Sequence, residues 1–143
     1  RDLRMSRGLG DVYKRQVLMS FIYALLFNLT AYLGAGIASV ISIFIFFIIY
    51  AAVQLTFFVK LSSHNIKIYC LGVILTICFS VIIGYIFYDT DFFIHIFMAF
   101  NGDYGTPNAG SGFGMILSYS LNGIALLCSI LIGIYNILTN RQQ

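Results

Sequence analysis

The sequence between Val17 and Val59 reads VLMSFIYALLFNLTAYLGAGIASVISIFIFFIIYAAVQLTFFV and contains no charged side chain. A helix needs about 20 apolar residues to cross the roughly 30 Å hydrocarbon core of a bilayer. As one straight helix this stretch would extend about 65 Å, because each residue adds about 1.5 Å. We therefore predict a hairpin of two transmembrane helices that reverses at Gly34-Ala35-Gly36, where glycine permits the backbone conformations of a sharp turn.

Two further apolar segments extend this pattern to four spans. The composition agrees, since 60% of the residues are hydrophobic, 9% are charged and the mean hydropathy is +0.94. A soluble domain of this length needs more charge to keep its surface hydrated. The sequence predicts an all-α integral membrane bundle of four transmembrane helices. Residues 17–143 form its single domain, with spans at 17–33, 37–59, 68–88 and 113–138.

The first sixteen residues, RDLRMSRGLGDVYKRQ, differ from the rest in their charge. They hold five of the eight basic residues, and SRGLGDVYKRQ resembles a translated sequencing-adapter read-through. We interpret residues 1–16 as a non-native leader, so no nucleic-acid partner is inferred from their charge. One alternative is a genuine basic cytoplasmic leader. Another is a secretory signal peptide, whose removal would leave three spans.

The basic residues beyond the leader predict the orientation in the membrane. Lys60 and Lys67 flank the link between the second and third spans, and Arg141 follows the fourth. Cytoplasmic loops carry an excess of lysine and arginine. We therefore expect a multi-pass protein of the bacterial cytoplasmic (inner) membrane, with both termini and this link inside and the loop 89–112 outside.

Small residues at helical spacing predict how the spans pack. Close helix contact in lipid uses small side chains, because lipid tails are as apolar as leucine. The predicted packing residues are Gly72, Thr76, Ser80 and Gly84 on the third span and Gly114 and Ser118 on the fourth. Cys70, Cys78 and Cys128 are expected to pack as small hydrophobic residues. Six tyrosines near helix ends are expected at the membrane interfaces: Tyr32, Tyr69, Tyr85, Tyr88, Tyr119 and Tyr135.

Asn28, Gln54 and Asn122 are the most polar side chains within the predicted spans. They have two interpretations: hydrogen bonds between helices, or a polar pathway for a substrate or ion. No carboxylate lies within the predicted spans, and this absence disfavours a proton antiporter.

The loop 89–112 is the other candidate for chemistry. Its FFIHIFMAF stretch predicts a short helix lying in the membrane interface. Its apolar face would carry Phe92, Phe93, Ile96, Phe97 and Phe100, with His95 and Ala99 pointing away. Asp89, Asp91 and His95 are weak candidates for a catalytic or metal site, because carboxylate and imidazole bind divalent metals. An outer surface also carries such residues without chemistry, so no metal and no cofactor is predicted.

Three functional hypotheses follow from these patterns. The first is a non-enzymatic accessory or interaction subunit, held in the lipid bilayer as a homo-oligomer or as part of a larger membrane complex. The second is a small oligomeric transporter or carrier with a polar interior formed by Asn28, Gln54 and Asn122. The third is a membrane enzyme with its site at Asp89, Asp91 and His95. A polar cavity would favour the carrier, and convergence of the loop residues would favour the enzyme.

Overall fold

The computed structural model describes residues 2–37, 39–63, 65–102 and 109–142. These residues form helices and contain no strand, which confirms the predicted all-α fold. The helices are α1 (Asp2–Gly36), α2 (Val40–Ser62), α3 (Ile66–Asp89), α4 (Phe92–Asn101) and α5 (Ala109–Gln142).

Four of these helices are long and apolar enough to cross a membrane. The shortest has 23 residues, which corresponds to about 35 Å at the rise of an α-helix. The predicted bundle of four spans is therefore confirmed. The spanning segments are Gly8–Gly36, Val40–Ser62, Ile66–Asp89 and Gly112–Gln142.

The reversal between the first two spans lies later than predicted. α1 continues through Gly36 and α2 begins at Val40, so the glycines are helical and do not form the turn. They serve close packing instead. A Cβ atom on Gly34 would lie 3.3 Å from the Cα atom of Ile43, and one on Gly36 would overlap the Ile96 side chain.

The other helix boundaries differ from the predictions by a few residues. α3 begins two residues earlier than predicted, and α5 extends the last span at both ends. The first span also begins earlier, because residues 2–16 continue α1. A helical conformation is open to native and non-native sequence alike, so the assignment of residues 1–16 as a leader stays a prediction.

α1 is the central helix of the bundle and packs against each of the other four. α2 packs mainly on α5 and α1, whereas α3 packs mainly on α1. Residues near the starts of α2 and α5 lie close together, and Asn136 near the end of α5 donates a hydrogen bond to Ser62 at the end of α2 (2.7 Å). These two helices therefore run parallel. α3 and α5 flank α1 without extensive packing between the described parts of their backbones, and a groove separates them.

The apolar part of the core lies toward the Ser62 end of α2. Aromatic pairs hold it together, among them Tyr23 stacked on Phe57 with ring centroids 3.9 Å apart. The side chains around them are almost fully buried, and such packing contributes to helix association in a membrane. The cluster consists of Phe57, Phe58, Leu61, Tyr69, Leu126 and Ile137.

α4 is the short helix predicted within the outer loop, and it lies against the end of α1. Asn101 donates a hydrogen bond to the carbonyl oxygen of Gly36 (2.6 Å), and Ile96 is buried. Phe100 departs from the prediction, because it is 56% exposed although its spacing places it on the apolar face. It lies in the last turn of α4, where the contact with α1 is made by Asn101 instead.

The expectation that the three cysteines pack in the core as small hydrophobic residues is wrong about their location. Cys70, Cys78 and Cys128 all lie on the outer surface of the bundle. Lipid-facing and buried positions of a membrane helix are both apolar. The hydropathy of a small side chain therefore does not tell which of the two it occupies.

Candidate functional site

The three polar residues predicted within the spans are all buried in the bundle. Asn28 and Gln54 have no exposed surface, and Asn122 is 1% exposed. A polar group in an apolar medium costs free energy unless it is hydrogen-bonded. Their hydrogen-bond partners therefore indicate what each residue does.

Asn28 connects three helices. Its Nδ2 atom donates to the carbonyl oxygen of Ala24 in α1 (3.2 Å) and to that of Ser80 in α3 (3.0 Å). Its Oδ1 atom accepts a hydrogen bond from the hydroxyl of Tyr119 in α5 (2.7 Å). Both amide donors are used, so the Asn28 side chain joins α1, α3 and α5.

Asn122 makes a second connection between α5 and α1. Its Nδ2 atom donates to the carbonyl oxygen of Phe27 (3.1 Å) and to the hydroxyl of Thr30 (2.9 Å). One turn earlier on α5, Ser118 donates to the carbonyl oxygen of Ala31 (3.0 Å). These bonds place Asn122 in the contact between two helices.

Gln54 differs from both asparagines. Neither its Nε2 nor its Oε1 atom has a hydrogen-bond partner among the described residues, and the same holds for the hydroxyl of Tyr50. Tyr50 is 1% exposed and lies one helical turn before Gln54, on the same face of α2. The sequence signal that could have identified Tyr50 is this four-residue spacing from a glutamine in the middle of a span.

Three of the tyrosines expected at the membrane interfaces have contacts inside the bundle. Tyr32 and Tyr69 are both 3% exposed. The hydroxyl of Tyr69 donates to the carbonyl oxygen of Ile130 (2.7 Å). The hydroxyl of Tyr119 donates to Asn28. Their positions near helix ends did not reveal these bonds, because the partners come from other helices. Tyr85, Tyr88 and Tyr135 are exposed.

The small residues of α3 face α1. Thr76 is completely buried, and a Cβ atom on Gly84 would lie 3.1 Å from the Oδ1 atom of Asn28. A Cβ atom on Gly72 would overlap Gln16 and Leu61. Helix α3 therefore approaches α1 closely along this face.

The small residues of α5 lie near α1 and α2. Ser118 is 2% exposed, and a Cβ atom on Gly114 would be 3.7 Å from the Cδ1 atom of Ile43, an ordinary contact distance. Gly114 therefore has more room around it than Gly84.

The structure does not group the three outer-loop candidates as metal ligands. Asp89, Asp91 and His95 are all exposed, and the Nδ1 atom of His95 lies 2.9 Å from the backbone oxygen of Asp91. Asp91 has a left-handed backbone (φ 52°) at the start of α4. Within the described ranges, no three histidine, cysteine, aspartate or glutamate side chains are grouped to hold a metal ion. Asp103 and His64 lie outside those ranges.

A groove of about 520 Å³ separates α3 from α5, with α1 as its floor. We call it the lateral groove. Its walls are mainly apolar, and its polar side chains are those of Asn28, Tyr32, Ser80, Tyr88 and Tyr119. It is lined by Phe27, Asn28, Tyr32, Ile77, Ser80, Val81, Gly84, Tyr88, Met115, Tyr119 and Leu126.

A second cavity, of about 380 Å³, also lies between α3 and α5, toward the Arg141 end of α5. Its lining is apolar and includes Tyr69, Val73 and Ile134. A third space, of about 480 Å³, lies at the same end of the bundle and includes Arg15 and Lys60. The second cavity adjoins the hydrogen bond from Tyr69 of α3 to the Ile130 carbonyl oxygen of α5, so α3 and α5 meet at that level.

Comparison of the sequence with known protein families found no match, and comparisons with curated proteins and with solved structures found none either. The fold and its side chains define a four-span helical membrane protein.

Proposed function

We propose that this protein is a non-enzymatic accessory subunit of a membrane complex, which binds one transmembrane helix of a partner protein in the lateral groove. The groove itself is the observation that carries this proposal. It opens between two helices that lack extensive packing on each other, and most of its lining is apolar.

The side chains of the groove suit a helix. Ser80 and Gly84 are small, and small residues let two helix backbones approach closely in lipid. The donors of Asn28 are used within the bundle, and the hydroxyl of Tyr119 donates to Asn28. An occupant therefore needs few polar groups of its own, as is typical of a membrane-spanning helix.

Two observations support this role over the alternatives. A carrier would use the polar interior of Asn28, Gln54 and Asn122. The amide donors of Asn28 and Asn122 bond within the bundle, and Gln54 has no exposed surface. An enzyme at the outer loop would bring together Asp89, Asp91 and His95, and these exposed side chains do not form a group that could hold a metal ion.

The same proposal includes the orientation in the bacterial cytoplasmic membrane. Lys60, Lys67 and Arg141 belong to helix ends on one side of the bundle, whereas Asp89 and Asp91 adjoin α4 on the other. This separation of charge supports a cytoplasmic location for both termini under the positive-inside rule.

The test is binding to the membrane proteins encoded beside the gene for this chain, with co-purification as the measurement. Val81→Trp fills the groove from a side chain that is 67% exposed, so we expect at least a tenfold loss of captured partner. The matched control is Ile82→Trp, at a neighbouring residue that is 53% exposed and not part of the groove lining. Equal capture by the two variants, or no capture by the parent protein, would contradict the proposal.

A further inference from the structure

Tyr50 and Gln54 lie near the middle of α2, a 23-residue helix that extends from Val40 to Ser62. Both are buried, and three of their side-chain atoms have no hydrogen-bond partner among the described residues. We propose that these two side chains form an internal binding site for water at the centre of the bundle, in the region where α2 packs on α1 and α5.

The energetic reason is the cost of an unpaired polar group. A buried donor or acceptor without a partner costs about 1–3 kcal/mol even in a soluble protein, and hydrocarbon surroundings offer nothing else to bond. The glutamine amide brings two donors and one acceptor, and the tyrosine adds a hydroxyl. Side chains four residues apart on a helix point the same way, so one small molecule can bond both Tyr50 and Gln54.

The three unpaired atoms indicate which small molecule would bind. A cation could bind the two oxygens, but it offers nothing to the Nε2 atom of Gln54, which only donates. Water both donates and accepts, and buried water typically makes about three hydrogen bonds to otherwise unpaired groups. No charged residue lies between Val17 and Val59, so the two spans that form this part of the site bring no charge to it.

Aromatic side chains enclose the proposed site. The ring of Phe27 in α1 meets that of Tyr50 edge to face, with centroids 5.6 Å apart. Phe58 is completely buried one turn after Gln54 and belongs to the apolar cluster. On that side, exchange of the water requires the helices to move apart.

A double-mutant cycle with Tyr50→Phe and Gln54→Leu tests the site through the unfolding equilibrium in sodium dodecyl sulfate. If water bridges the two side chains, each single variant raises the unfolding constant by about threefold, the average value for a hydrogen bond within a membrane protein. The unfolding constant of the double variant is then also raised by only about threefold, because the two changes remove one shared network. Tyr135→Phe, at a residue that is 71% exposed, is the control and should change nothing.

A decrease in the unfolding constant of the single variants would overturn the proposal. If the three atoms are unpaired, Gln54→Leu and Tyr50→Phe each lower the unfolding constant and their effects add. Coupling alone would also arise if Tyr50 bonded Gln54 directly, so a second measurement detects the water. We expect nuclear Overhauser contacts between water and the Gln54 side-chain amide in deuterated detergent, and none at Asn122, whose amide donors bond within the bundle. Coupling without a water contact at Gln54 would reject the site.

Discussion

Single polar side chains connect the helices of the bundle in addition to their packing. In lipid, apolar burial does not drive helix association, so packing and hydrogen bonds between helices do. Asn28 is the clearest case, because its amide bonds α3 while its oxygen accepts from α5. The stability of the helix arrangement should therefore depend on a few atoms at this residue.

Tyr119→Phe removes one hydroxyl and leaves the Asn28 oxygen without this bond. We expect the unfolding constant in detergent to rise by about threefold or more, since hydrogen bonds in membrane proteins contribute about 0.6 kcal/mol on average and up to about 1.7 kcal/mol. Tyr85→Phe provides the comparison, because that residue is 69% exposed on α3. If both variants unfold at the same detergent fraction, the Tyr119–Asn28 bond does not stabilise the bundle.

Sequence reasoning reached some of these residues and missed others for a physical reason. Asn28 and Asn122 could be found because a polar side chain in an apolar span has few alternatives to bonding another helix. Tyr50 was missed because its unpaired hydroxyl depends on which side chains the other helices bring near it. The four-residue spacing from Gln54 places Tyr50 on the same face of α2, but it does not show whether the hydroxyl is bonded.

The positions of the helices can be predicted from the sequence more directly than the contacts between them. Four apolar stretches of sufficient length predict four spans, and the aromatic periodicity of residues 92–100 predicts α4. The reversal after α1 was misplaced because a glycine suits both a turn and a close helix contact. Gly34 and Gly36 make close contacts with α2 and α4, and only the folded neighbours decide between these uses.

The small-residue face of α3 gives a prediction at the scale of an element. Gly84→Leu places a branched side chain toward the Asn28 oxygen, which lies 3.1 Å from the position of a Cβ atom, and Ser80→Leu enlarges the same face. Both should lower the detergent fraction at which the bundle unfolds. Ile82→Leu changes an exposed side chain and should have little effect, so equal tolerance at all three positions would show that this face does not form a tight contact.

At the scale of the whole molecule, the charges lie at opposite ends of an apolar bundle. Lys60, Lys67 and Arg141 are exposed near the ends of α2, α3 and α5. Asp89 and Asp91 are exposed beside α4. We therefore predict that these two groups lie on opposite sides of the membrane.

Topology can be measured with single cysteines in a variant that lacks Cys70, Cys78 and Cys128. We expect Ser63→Cys to react with an impermeant thiol reagent only from the cytoplasmic side, and Asn108→Cys only from the outside. Asn108 is placed by the predicted loop, since it lies outside the described residues. Labelling of both cysteines from the same side would contradict a four-span arrangement.

The parallel pairing of α2 with α5 has a consequence for biosynthesis. α2 leaves the ribosome before α5, its main packing partner, because α3 and α4 lie between them in the sequence. Until α5 enters the membrane, Asn28 lacks the Tyr119 bond and one side of α2 remains uncovered. A chain that stops before α5 would leave Asn28 without its Tyr119 bond in the membrane, and chaperones act on incompletely packed intermediates of this kind.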